Sequence, residues 1–357
     1  NTSKGKLIRK PILVSEDKKG SDYTTAPTRD VCMHSDIVIL NGGKLTADEP
    51  KSPGSHVDFA NIYVYPGGKL VLDDKSLGVK RQVYLRGGYS WLNSTYALPE
   101  VYVNGDINFN GSGKMIYDYY IQNQKYYQFA LPYDVQLANV TDESGADNFP
   151  VWVKHYNGAL RAKNAYATSW EWYPSENGDE NAYFKAGIGY IIAAKPRQVG
   201  NIANRPLSII RFPLGNSAFT GGEGDKSVVT TAHGIEDYNA GTVTANNVGW
   251  NFIGNPFMAT WKGDIGHKKL AKHPDEDNWD GSYHWVDADV KFITIMSPED
   301  GSDYEQTIAA DADLNPFFPF YLQETAEGGI GEIDFSSANR IKKAPALWNV
   351  EQDEREA

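Results

Sequence analysis

The residues of this chain that come nearest to a metal-binding signature are Asp275-Glu-Asp-Asn-Trp-Asp-Gly281. A hard divalent cation such as calcium wants several carboxylate oxygens on one tight loop, and Asp275, Asp277 and Asp280 could supply three. The alternation of a helix-loop-helix calcium loop is not kept. Trp279 stands in the third ligand position, Asp280 falls one residue late, and no Glu follows at the distance a bidentate ligand needs. The run reads first as a solvated acidic loop, with calcium as its candidate cation. No other cofactor is implied.

Aromatic residues gather at two places, Trp170-Glu-Trp-Tyr173 and Trp279 with Tyr283-His-Trp285. Sugars stack their C–H faces on such rings while amides and carboxylates bond the hydroxyls. Trp170, Trp172, Trp279, Tyr283 and Trp285 are therefore the candidate carbohydrate-binding residues. The competing reading is a packed core, because Trp170 with Trp172, and Tyr283 with Trp285, would share one face of a strand. Trp279 lies inside the acidic loop and is the better candidate for an exposed ring.

Catalytic signatures are absent. There is no Gly-x-Ser-x-Gly elbow and no His-Glu-x-x-His, and none of the seven histidines has metal spacing in a helical context. The single cysteine, Cys32, allows neither an internal disulfide framework nor a cysteine-rich metal site. A lyase working on a β-helix would need a longer groove than the repeats described below can build. The chain is expected not to be an enzyme.

The elements that must position these residues are strands. The chain of 357 residues carries 22 Tyr, 14 Phe and 9 Trp with 34 Gly and 18 Pro, a strand-and-turn composition. No apolar run reaches the ~18 residues of a membrane span. With 46 acidic against 34 basic residues the net charge is −12, which repels phosphate backbones and argues against nucleic acid as a partner.

Near the start, Asp36-Ile-Val-Ile-Leu-Asn-Gly-Gly-Lys-Leu-Thr-Ala-Asp48 is echoed by Asn61-Ile-Tyr-Val-Tyr-Pro-Gly-Gly-Lys-Leu-Val-Leu-Asp73, a repeat of 25 residues. Fainter echoes follow at 83–89 and 101–107. Each reads as strand, Gly turn, strand. A unit this small cannot bury its own apolar face, so copies must stack. A short β-solenoid is the expectation, and a meander of β-hairpins the competing one, since hairpin turns also need glycine. Further on, Tyr127-Gln-Phe-Ala-Leu-Pro-Tyr-Asp-Val135 resembles Trp250-Asn-Phe-Ile-Gly-Asn-Pro-Phe257, and 184–193 resembles 314–323. Aligning Phe129 with Phe252 predicts a duplicated, sandwich-like β unit. One short helical turn is expected within 263–271.

The phrases Phe129-Ala-Leu-Pro-Tyr-Asp-Val135, Ala186-Gly-Ile-Gly-Tyr-Ile-Ile192, Gly249-Trp-Asn-Phe-Ile-Gly-Asn-Pro-Phe257 and Pro316-Phe-Phe-Pro-Phe-Tyr-Leu322 resemble a set common in secreted and outer-surface, multidomain β-rich proteins of Bacteroidetes. The resemblance spans about residues 30–345. It implies export to the cell surface and carries no catalytic residues.

The expected organisation is all-β. It places a capping strand or linker at 1–30, β-solenoid-like repeats at 31–122, a duplicated β-sandwich-like domain at 123–345, and a tail or the start of another domain at 346–357. A start at Asn1 without Met suggests a piece of a longer parent whose other domains would be neighbours. The expected role is an extracellular, cell-surface module that is adhesive or structural and meets a host or bacterial surface glycan or protein. The alternative is a carbohydrate-binding module or an appendage of a glycan-active enzyme.

Overall fold

The computed structural model describes residues 11–23, 35–48, 58–90, 95–109, 113–122, 125–145, 150–163, 169–174, 182–195, 207–215, 218–219, 223–231, 250–262, 268–272, 283–287, 292–294, 306–308, 314–323 and 330–342. They are mostly strand with almost no helix, the β-rich character that the composition predicts.

The first eleven strands are β1 (Ile12–Val14), β2 (Asp17–Lys19), β3 (Ile37–Ile39), β4 (Lys44–Ala47), β5 (Asp58–Phe59), β6 (Ile62–Val64), β7 (Lys69–Val79), β8 (Gln82–Ser90), β9 (Thr95–Ala97), β10 (Glu100–Phe109) and β11 (Lys114–Gln122). The two strands of each strong repeat go to different sheets. In one, β1, β3, β6, β8 and β11 pair in parallel. In the other, β2, β4, β7 and β10 do the same. A hairpin would instead pair the two strands of a repeat antiparallel to each other. The register is the repeat itself: Ile37 lies opposite Ile62, and Lys44 opposite Lys69. Alternate side chains turn inward, and Ile37, Ile39, Ile62 and Val64 of one sheet, with Leu45, Leu70 and Leu72 of the other, are fully buried between them. Residues 12–19 add a pair of strands in the same register ahead of the first recognisable repeat.

The two glycines of each repeat do different work. Gly42 and Gly67 both have φ +77°, which L-residues avoid. Gly43 and Gly68 sit against the preceding copy, where a Cβ would collide with the carbonyl oxygens of Val14 and Ile39 respectively; around Gly42 the space is open, while Gly67 also lies against Asn41 of the preceding copy.

The faint third and fourth echoes are two halves of a single repeat. Val83 pairs with Ile62 in one sheet, and Val101 with Leu70 in the other. Gly87 and Gly88 make no turn there; β8 runs through them into a hairpin with β9. Leu98 and Pro99 then occupy the place of the glycine pair, with the Gly67 amide donating to the Leu98 carbonyl (3.1 Å) and the Glu100 amide to the Gly68 carbonyl (3.2 Å).

The middle of the chain supplies β12 (Tyr127–Ala130), β13 (Val135–Gln136), β14 (Thr141–Asp142), β15 (Val151–Tyr156), β16 (Trp170–Trp172), β17 (Tyr183–Phe184), β18 (Gly189–Ala194), β19 (Leu207–Leu214), β20 (Ala218–Phe219) and β21 (Lys226–Thr231). Antiparallel β19 and β20 close the free edges of β11 and β10. The core is continuous across residue 122: Tyr117 stacks on Phe317 at 4.1 Å, and Phe129, Phe184 and Phe212 join the same cluster. The sole α-helix among the described residues is α1 (Gly158–Lys163). Asn157 caps it, its Oδ1 accepting from the amides of Ala159 (3.0 Å) and Leu160 (3.3 Å).

The last strands are β22 (Trp250–Gly254), β23 (Lys268–Lys272), β24 (Tyr283–Asp287), β25 (Phe292–Thr294), β26 (Gln306–Ile308), β27 (Pro319–Gln323) and β28 (Ile330–Phe335). Of the span 263–271, for which one helical turn is expected, residues 268–271 are strand and 263–267 lie outside the described residues. One four-stranded sheet runs β12-β18-β15-β16 and another β22-β27-β25-β26. Ala130 lies opposite Gly189, and Gly254 opposite Pro319. The Ala130 amide donates to the Phe317 carbonyl (3.1 Å), while the Gly254 amide donates to the Gly187 carbonyl (2.8 Å). Gly187 and Phe317 both have positive φ, at 70° and 61°. This reciprocity matches Pro132 with Pro256 and Phe129 with Ile253. Phe129 and Phe252, which the sequence phrases align, do not take matching places, and in a strand one residue changes the face: Phe129 is in the central core, whereas Phe252 joins Trp250 and Tyr321 in a separate cluster.

Candidate functional site

Of the residues singled out by type and spacing, Asp275, Asp277, Asp280 and Trp279 lie outside the described residues. Tyr283 and Trp285 fall on β24, opposite Lys272 and Leu270 of β23. Trp170 and Trp172 are well placed, on the edge strand of the β12-β18-β15-β16 sheet.

That sheet has two unlike faces. In Val151-Trp-Val-Lys-His-Tyr156, Val151 and Val153 point into the core, so Trp152, Lys154 and Tyr156 point out. The register sets Lys154 opposite Trp172 and Tyr156 opposite Trp170. On the central strand the same face carries Gly189, Ile191 and Ala193, and the last two are buried. The outermost groups are three rings, Tyr126 (38% exposed), Trp152 (42%) and Trp172 (46%), with Lys154 among them. The Lys154 ammonium lies 4.7 Å from the Trp172 ring centre and 5.6 Å from that of Tyr126, a cation held over two π faces.

Trp170 and Trp172 thus part company. Trp170 is half-buried, edge-on to Tyr156 (5.4 Å) and Phe252 (5.2 Å), where the two four-stranded sheets meet. A Cβ on Gly189 would strike the Phe252 ring, so the flat glycine makes room for this join. Arg161 of α1 lies 4.2 Å over Trp250 and donates to the Tyr156 hydroxyl (3.3 Å), bracing the cluster. Trp170 is therefore packing, and Trp172 is surface. Spacing alone could not separate them, because they share a face; what differs is the neighbour each meets across the sheet. Trp152 and Lys154 were legible in principle, since the Val-Trp-Val-Lys alternation marks both as outward.

The buried ionisable groups join elements. Lys69 and Glu100, fully buried, pair at 2.7 Å. Lys69 also donates to the Ile341 carbonyl (2.7 Å), and Glu100 accepts from the Thr260 hydroxyl (2.7 Å) and amide (3.2 Å). Nearby, Glu223 accepts from the Tyr133 hydroxyl (2.5 Å), Lys226 (2.8 Å) and Arg340 (3.2 Å). Lys226 donates further to the Pro256 carbonyl (2.7 Å), and Arg340 to the Val103 carbonyl (2.5 Å). Burial, together with the Glu223 charge, holds the Tyr133 hydroxyl well above its usual range, and burial pulls Lys226 down. These groups clamp the parallel stack to β21 and to the segments that follow β12, β22 and β28. Sequence reading missed them, since their partners lie up to 272 residues apart.

Among the described residues no helix is long and apolar enough to cross a membrane. Comparison with protein-family models, curated proteins and solved structures finds no match for this chain.

Proposed function

We propose that this chain is a non-enzymatic binding module of an extracellular or cell-surface protein, adhesive in role, and that the outer face of the β12-β18-β15-β16 sheet is its contact surface. The observation that carries this reading is the group of exposed rings, Tyr126, Trp152 and Trp172, around Lys154 on a sheet backed by the core. Soluble surfaces seldom gather several large rings without a partner. The parallel stack is read as a short solenoid serving as scaffold, and the two four-stranded sheets as copies of one sandwich-like unit. The likeness of four sequence phrases to Bacteroidetes surface proteins supports the cell-surface setting, in which further domains of a parent chain would flank this one.

Within that reading a glycan is the partner the face suits best, because flat rings backed by a fixed sheet offer stacking surfaces that need little ordering. A glycan array tests it. Wild-type protein and Trp170→Ala, whose ring serves packing, are expected to share a binding profile so long as the variant folds, while Trp172→Ala loses signal. A blank array for wild-type protein would sink the glycan reading.

A further inference from the structure

We propose that this face selects acidic glycans, with Lys154 pairing a sugar carboxylate between the rings of Tyr126, Trp152 and Trp172; the inference rests on the glycan reading above. Lys154 lies over the rings of Tyr126 and Trp172, and among the described residues no carboxylate pairs with it. The outward positions of all four strands (Gln128 and Ala130; Gly189, Ile191 and Ala193; Trp152, Lys154 and Tyr156; Trp170 and Trp172) hold no Asp or Glu. Glu171, the one acid of β16, turns to the opposite face, where its carboxylate accepts from Asn157 (2.7 Å) and lies 3.2 Å from His155 Nε2. In a chain of net charge −12 this is a local reversal of sign.

A neutral glycan would need only the rings. The ammonium, set over two ring faces, is partly shielded from water and has donors to spare, and a charge-assisted hydrogen bond to a carboxylate is about twice as strong as a neutral one. A uronate or sialate presents a carboxylate beside an apolar ring face. That matches a lysine beside a flat indole. A polyanion such as single-stranded nucleic acid needs a basic groove along its length, and one lysine in an acidic chain does not make one.

The test is titration calorimetry with three probes of equal length: oligogalacturonate, its methyl ester, and oligothymidylate. Sialyllactose against lactose forms a second acid–neutral pair. The expected result is at least tenfold tighter binding of an acid than of its neutral partner. Lys154→Met, which keeps the stem, should bring the acid down to the neutral affinity without shifting the melting temperature. Equal affinity for acid and neutral partner overturns this inference and leaves the glycan face intact. Binding of none of the sugars overturns both. Tighter binding of oligothymidylate than of either acid also overturns it.

Discussion

Lys69 and Glu100 face each other across β7 and β10 with no access to water, and each holds a second partner from the C-terminal part of the chain. A buried charge that loses its counter-charge bears its full desolvation penalty, so Glu100→Ala should lower stability by about 3–5 kcal/mol. Replacing both residues with apolar side chains, Lys69→Met with Glu100→Leu, removes both charges and should recover most of that loss. Chemical denaturation of the three variants checks this, and a double variant as unstable as Glu100→Ala would show that packing rather than charge governs the site. Trp170 and Trp172 make a second contrast at this scale. Trp170→Ala opens the seam between two sheets and should cost about 2–4 kcal/mol, since its ring is half-buried, whereas Trp172→Ala should stay within about 1 kcal/mol.

At the scale of elements, the glycine pair offers a sharp comparison. Around Gly42 no atom lies within 4 Å of an added Cβ, so Gly42→Ala should cost only the left-handed backbone conformation, about 1–2 kcal/mol. Gly43→Ala drives a methyl into the carbonyl of Val14 and must push adjacent repeats apart, so a larger loss in melting temperature is expected. Equal losses would contradict the division of labour between the two positions. The repeat was legible because its strand residues, glycines and spacing coincide in two copies. The third repeat was misread because Leu98-Pro99 stands where the glycines should be and β9 is inserted before it. The shared phrases fall on β12 and β22, which belong to separate four-stranded sheets, yet Phe129 and Phe252, which attract the eye, join different clusters, and the backbone bonds set Ala130 and Gly254 in matching places instead. Nothing local announces the Lys69 and Glu223 clamps, which exist only once distant elements meet.

Over the whole molecule, buried and half-buried tyrosines tie stability to pH. Tyr63, Tyr120, Tyr133, Tyr156 and Tyr190 are all held above their ordinary value of 10.0, burial being the first cause in each. An unfolded chain would release these protons first. Their contribution is therefore fully present below about pH 10 and lost as pH rises through the folded-state values. Lys195 and Lys226, lowered by burial, act in the opposite sense, but on fewer groups. The urea midpoint should fall between about pH 9 and about pH 11, and an unchanged midpoint would contradict the assignment. The same assembly gathers Tyr126, Trp152 and Trp172 on the outer face of one sheet backed by the continuous core, and the account stands on that face being where the molecule binds. Surface plasmon resonance over immobilised glycans, comparing wild-type protein with the Trp152→Ala, Trp172→Ala double variant, tests it most directly. The expected result is wild-type binding that weakens roughly 30-fold or more in a double variant of unchanged melting temperature, at about 1 kcal/mol for each ring. Equal binding by the two proteins, or none by wild-type, would contradict it.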